Sequence, residues 1–167
     1  MGLFSSPIKT LDDLFVHTLR DMYYVEREIV ENLPDMIEKA SSQRLKAAFQ
    51  HHLTETKQQV VRLEKVFAMH GEKPSTESCA SIDGILSEAE DIISDCDDKE
   101  VRDAAMLSAA QAIEHYEITR YGTMIAFARQ LGRQECAALL AETLQEEKAA
   151  DSALTAIAEE RVNLAAA

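Results

Sequence analysis

Residues 19–67 read LRDMYYVEREIVENLPDMIEKASSQRLKAAFQHHLTETKQQVVRLEKVF. Apolar side chains recur every three or four residues on both sides of Ala40-Ser41-Ser42, the spacing of one face of an α-helix. Leu19, Met22, Val25, Ile29, Val30, Leu33 and Ile37 form the first stripe, and Leu45, Ala48, Phe49, Leu53, Val60, Leu63, Val66 and Phe67 the second. So short a break reverses the chain, and the segment predicts an antiparallel helical hairpin. One acid in each half is out of place. Glu26 sits in the middle of the first stripe, and Glu55 flanks the second.

Outward from this hairpin the same signals repeat. Thr10 caps the first helix, with Asp12 and Asp13 in its first turn. Pro34 removes one backbone donor within that helix and should kink it. The second helix runs from Gln43 to His70 and stops at Gly71. Residues 72–81, with Pro74 and three serines, read as loop. A short amphipathic helix follows, with Ile82, Ile85, Leu86, Ala89, Ile92 and Ile93 on one face. Asp97 or Asp98 caps a third long helix that reaches Leu131 before Gly132. A fourth spans Arg133 to Val162. Residues 1–9 are expected to be a short flexible arm and 163–167 a frayed end. The whole chain, 1–167, reads as one all-α domain. Two hairpins joined by a long crossover carrying a short fifth helix make the ferritin-like arrangement of a four-helix bundle.

Composition agrees and excludes several alternatives. The 167 residues are 46% hydrophobic and hold only 5 Gly and 3 Pro, too few turn formers for a β-sandwich or barrel. A net charge of −13 has the wrong sign for neutralising phosphates, so neither nucleic acid nor an anionic membrane is an expected partner. Cys79, Cys96 and Cys136 are odd in number and lack zinc-ligand spacing, which fits a reducing compartment. The N-terminal MGLFSSPIKTLDD is too short and polar for a signal peptide, and no apolar run approaches the roughly 20 residues that span a bilayer.

The informative acids are those inside apolar stripes. Glu28 and Glu31 fall off the stripe and read as surface charge. Glu114 lies among Leu107, Ala110, Ile118, Tyr121 and Ile125, and Glu147 among Leu140, Leu144, Leu154 and Ala158. Glu26 and Glu55 share a midpoint inside the Ala40–Ser42 turn. Glu114 and Glu147 share one beside Leu131-Gly132. Each hairpin thus brings two carboxylates level, although the crossover does not fix the height of one hairpin against the other. Buried ionised carboxylates need protons, Lys or Arg partners, or metal ions. No Lys or Arg lies in the central stripes near them. Two divalent cations would satisfy charge and oxygen ligands together.

Bundles with one Glu per helix usually add Glu-x-x-His on two helices. Here those positions read Glu55-Thr-Lys-Gln58, with Gln59 better placed, and Glu147-Lys-Ala-Ala150, with Asp151 next. The third long helix offers Glu114-His-Tyr-Glu117 instead. An oxygen-rich set favours hard ions, iron first, with manganese or magnesium as alternatives. His52 and His115 flank the site, where a hydrogen-bonded companion role is the default expectation. For Tyr23, Tyr116 and Tyr121 the default is core packing, within reach of a carboxylate.

The strings LRDMYYVEREI, HLTETKQQVVRLE, AAQAIEHYEITRYGT and TLQEEKAADSALT resemble the bacterial YciF-like stress-protein family of ferritin-like bundles, from about Thr10 to Ala158. The resemblance implies a ferritin-like four-helix fold, a homodimer, a metal site between the helices, and a cytoplasmic protein tied to stress. Carried over by position, the family's inner carboxylates fall on Glu26, Glu55, Glu114, Glu117 and Glu147, and its polar companions on Gln59 and Asp151. The resemblance brings no reaction with it, so whether the chain is an enzyme stays open. The expected function is a dinuclear metal-binding stress protein, reactive toward oxygen or peroxide if redox-active. The alternative is a structural or interaction bundle whose site is vestigial or holds a redox-inert ion.

Overall fold

The computed structural model describes residues 7–167, apart from the side chain of Arg161. The arm expected at 1–9 therefore lies, for residues 1–6, outside the described residues. The helices are α1 (Leu11–Lys39), α2 (Gln43–His70), α3 (Ala80–Asp95), α4 (Lys99–Gln130) and α5 (Gln134–Ile157). A π-helical turn at Ala158–Val162 leads into α6 (Asn163–Ala166). The described residues contain no strand.

The ends form where local chemistry satisfies them. Thr10 and Asp13 make a reciprocal capping box: the Asp13 N–H donates to Thr10 Oγ1 at 3.0 Å, and the Thr10 N–H to Asp13 Oδ2 at 2.9 Å. Asp98, rather than Asp97, caps α4 by accepting from the N–H groups of Glu100 and Val101. Gly71 (φ 85°) and Gly132 (φ 72°) end helices in the left-handed region that favours glycine. α1 continues through Pro34 to Lys39. α3 starts at Ala80, within the stretch expected to be loop, because the buried Ile82 draws its first turn onto the core. The π-helical turn near the C-terminus carries no signal we could read in the sequence.

α1 packs on α2 and α4, and α5 on α2 and α4, so the four long helices close a ring. Cross-helix contacts give their directions. Tyr121 bonds to Glu26 while Asp103 bonds to Ser41 and Ser42, so α4 runs opposite to α1. Arg44 meets Glu160 while Arg62 meets Thr143 and Glu146, which sets α5 opposite to α2. His70 sits beside Asp12 at one end (3.4 Å), and Asp103 grips the α1–α2 turn at the other. Residues 71–98 therefore run the length of the bundle, and α3 lies along α4 with its Asp83 accepting the Tyr24 hydroxyl at 2.8 Å.

The buried Asp103 carboxylate accepts from the Ser41 N–H (2.8 Å), the Ser41 hydroxyl (2.7 Å) and the Ser42 N–H (2.7 Å). Charge-assisted bonds of this kind are about twice as strong as neutral ones. They fix the height of one hairpin against the other, the quantity that the crossover left open.

Each long helix buries a seam of alternating three- and four-residue steps, the spacing of knobs-into-holes packing. On α1 it is Phe15, Leu19, Met22, Glu26, Ile29 and Leu33. On α2 it is Leu45, Phe49, His52, Thr56, Gln59, Leu63 and Val66. On α4 Leu107, Glu114, Glu117, Tyr121, Met124 and Ala128 are buried at this spacing, and on α5 Cys136, Leu140, Thr143, Glu147, Leu154 and Ile157. The polar members of all four seams meet in one layer.

Candidate metal centre

Glu26, Glu117 and Glu147 are fully buried and Glu114 is 2% exposed. Each occupies a seam position, where the apolar neighbours along its helix are buried with it. Ligand atoms of His52, Glu114, Glu117 and Glu147 all lie within 4.8 Å of one another. His52 Nε2 is 3.3 Å from Glu114 Oε1. Tyr121, itself fully buried, donates its hydroxyl to Glu26 Oε1 across the α1–α4 contact.

The carboxylates crowd one another. Glu114, Glu117 and Glu147 each bring an oxygen within 4.8 Å of the others, and Glu26 and Glu117 act on each other through charge. Ionised carboxylates only accept, so the group sets lone pairs against lone pairs. Both oxygens of Glu117 and of Glu147, and one each of Glu26 and Glu114, have no hydrogen-bond partner. A native interior seldom leaves buried acceptors unpaired. A proton or a cation among these oxygens resolves the conflict.

The electrostatics follow from this confinement. Burial, then the neighbouring carboxylates, pushes Glu26 and Glu117 far above the usual carboxylate range. Burial and Glu114 do the same to Glu147. Burial lifts Glu114 to about 8, and Glu26, Asp151 and Glu55 add to the rise. Burial lowers His52 to about 4, so at neutral pH its imidazole is uncharged and has a lone pair to offer. Divalent metals require ligands in that state, and they repay the loss of carboxylate protons.

The other residues picked from the sequence are placed as follows. Gln59 is fully buried. Its Nε2 donates to Glu146 at 3.0 Å, and Arg62 braces Glu146 through two bonds of 2.8 and 2.9 Å. Gln59 Oε1 is left without a donor. Glu55 stands one position off the α2 seam, partly exposed, with His51 Nε2 at 3.3 Å. Asp151 is likewise at the margin, 3.2 Å from His115 Nε2 and accepting from Gln111 at 3.3 Å. Glu55 and Asp151 are thus not in the central group, although both act on Glu114 through charge. His115 is exposed and pairs outward. Sequence reasoning left His52 as a companion, yet it joins the central group. The α2 seam 49-52-56-59 is the signal that places it there, and it also puts Glu55 aside.

Residues 10–167 match the family described as a domain of unknown function, DUF892. The chain belongs to the DUF892 family. It is 41% identical over 157 residues to the protein YciF of Escherichia coli (strain K12), covering 93% of this chain and 95% of YciF. The crystal structure of YciF, named there a stress protein, superposes with a TM-score of 0.89 over 93% of this chain and 99% of that one. YcfI of Rhodopseudomonas palustris, 46% identical and provisionally described as structural, also superposes at 0.89, over 92% of this chain and 98% of its own. The kinship expected from the sequence strings is thus met.

Proposed function

We propose that this protein is a ferritin-like, two-metal carboxylate protein of the bacterial stress response, cytoplasmic and homodimeric, with iron as its first metal and manganese or magnesium as alternatives. One observation carries this reading: six oxygens of four buried carboxylates have no hydrogen-bond partner. Four carboxylates balance the charge of two divalent cations. Glu26, Glu114, Glu117 and Glu147 with His52 supply the inner ligands. Gln59 Oε1, Glu55 and Asp151 complete the set from its edge. One nitrogen among many oxygens suits iron or manganese better than magnesium. Likeness to a protein named for stress and the three free cysteines support the setting.

When bound, an iron or manganese pair supplies redox chemistry toward oxygen or peroxide. The chain's own residues hold and orient. Tyr121 keeps a proton on its hydroxyl and fixes the Glu26 carboxylate. Arg62 and Glu146 hold Gln59 with its carbonyl free. The shell of Met22, Leu63 and Leu140 keeps bulk water from the layer.

A second reading, a structural bundle with a redox-inert site, draws on the provisional description of YcfI. Anaerobic Fe(II) titration separates the two. Binding at about two per chain, followed by oxidation with oxygen or peroxide and little mineral, supports the redox reading. Fe(II) bound but inert supports the structural one, and many irons retained per assembly would indicate storage instead.

A further inference from the structure

A cavity of about 660 Å³ adjoins the carboxylate layer on the side of the α1–α2 turn. Its origin lies in missing side-chain volume. On the far side of the layer the seams carry Met22, Leu63, Tyr121 and Leu140, all fully buried or nearly so. On the near side α4 and α5 present Ala110 and Ala150, and α2 adds Ala48. Ile29, Leu33, Phe49, Ile113 and Leu154 complete an apolar wall, with Leu86 of α3 beside them.

The two ends of the cavity differ. Its inner end is formed by His52 and Glu114, buried side chains whose Nδ1 and Oε2 atoms have no hydrogen-bond partner. Its rim carries Glu28, Asp35, Glu55, Asp83 and Glu90, with Lys39 the one Lys or Arg among the described residues that line it. An acidic rim repels an anion, and a metal-loaded layer would repel a cationic head.

We propose that this cavity binds an uncharged, largely apolar small molecule whose single oxygen-bearing head, an alcohol, aldehyde or hydroperoxide, lies at the His52–Glu114 end. The volume falls in the ~300–1,000 Å³ range of small-molecule sites, which combine apolar walls with a few convergent polar groups. The placement of the head beside metal rests on the two-metal reading, whereas the apolar cavity stands without it. The molecule would reach the cavity through the gap bordered by α1 and α3, where the rim acids are exposed to solvent.

Decan-1-ol is the probe, titrated calorimetrically into the full-length protein, with decanoate and decyltrimethylammonium as charged comparators. Metal content is measured on the same samples. We expect one decan-1-ol per chain, with both charged probes at least about tenfold weaker. We also expect Ala110→Leu and Ala150→Leu each to weaken decan-1-ol by at least about tenfold while keeping the metal and the melting temperature. Two variants guard against one that fails to fold. A metal-loaded chain that takes no decan-1-ol overturns the cavity proposal and leaves the metal reading intact. Decan-1-ol bound by a chain that takes no metal supports the cavity and removes the metal reading. Binding unchanged in both leucine variants overturns the proposal. Binding that disappears as the chain dimerises gives the cavity to a second copy and overturns it as well.

Discussion

The Tyr121 hydroxyl donates to Glu26 Oε1, and this bond joins the two helical hairpins inside the carboxylate layer. Tyr121 is on α4 and Glu26 on α1, and both are fully buried. Glu26 therefore has a donor on one oxygen and none on the other. The layer is held by contacts from outside the ligand set as well as within it.

Tyr121→Phe should remove that donor without changing the shape of the core. Leaving a buried acceptor unpaired costs about 1–3 kcal/mol. The loss should appear in the chelated protein and shrink when metal binds, because Glu26 then has a cation. Urea denaturation with and without chelator measures both. An equal loss in the two conditions would mean that Glu26 does not serve the metal layer.

The metal-free protein should lose stability as pH rises above 6.5. Glu114 is lifted by burial from 4.5 to about 8, and Glu26, Glu117 and Glu147 are raised as well. A raised carboxyl contributes fully below its unfolded value, and the contribution is lost as pH climbs to the folded one. His52, lowered by burial from 6.5 to about 4, acts in the opposite sense, but only between those two values. From pH 6.5 to about 8 the carboxylates act unopposed. Metal affinity should rise over the same range, since binding releases protons. Melting curves in chelator and in metal at the two ends of this range should therefore diverge. A chelated protein equally stable at both ends would contradict the burial argument.

Substitutions should divide by seam position rather than by charge. Glu26→Ala and Glu114→Ala should lose metal yet keep their helical content, because each also removes one of several repelling charges. His52→Ala should weaken metal binding by at least ~100-fold, and Glu55→Ala by no more than the ~10–100-fold of an outer partner. Glu28→Ala and Glu31→Ala should change nothing. Circular dichroism and metal titration read both effects. If Glu55→Ala proves more severe than His52→Ala, the seam assignment is reversed.

Much of this architecture can be read from residue spacing alone. Gly71, Gly132 and Ala40-Ser41-Ser42 mark the turns, and shared midpoints bring Glu26 level with α2 and Glu114 level with Glu147. The height of one hairpin against the other depends on the grip of Asp103 on Ser41 and Ser42, residues about sixty positions apart with no periodic signature. His52 was hidden for a different reason. A helical wheel centred on Glu55 makes His52 a neighbour, whereas the three-four step from Phe49 through His52 to Thr56 makes it part of the seam. The cavity was illegible too. Ala110 reads as one more apolar neighbour of Glu114 and Ala150 as the place of a missing histidine, and only the packed helices show that nothing across from them fills the space.

The central claim is that the buried carboxylate layer holds a pair of metal ions. Its most direct test is elemental analysis of the dialysed protein after loading with Fe(II) or Mn(II), paired with a melting curve before and after chelation. The account predicts about two ions per chain and a clear fall in melting temperature when they are removed. A chain that retains no metal and melts at the same temperature in chelator would contradict it.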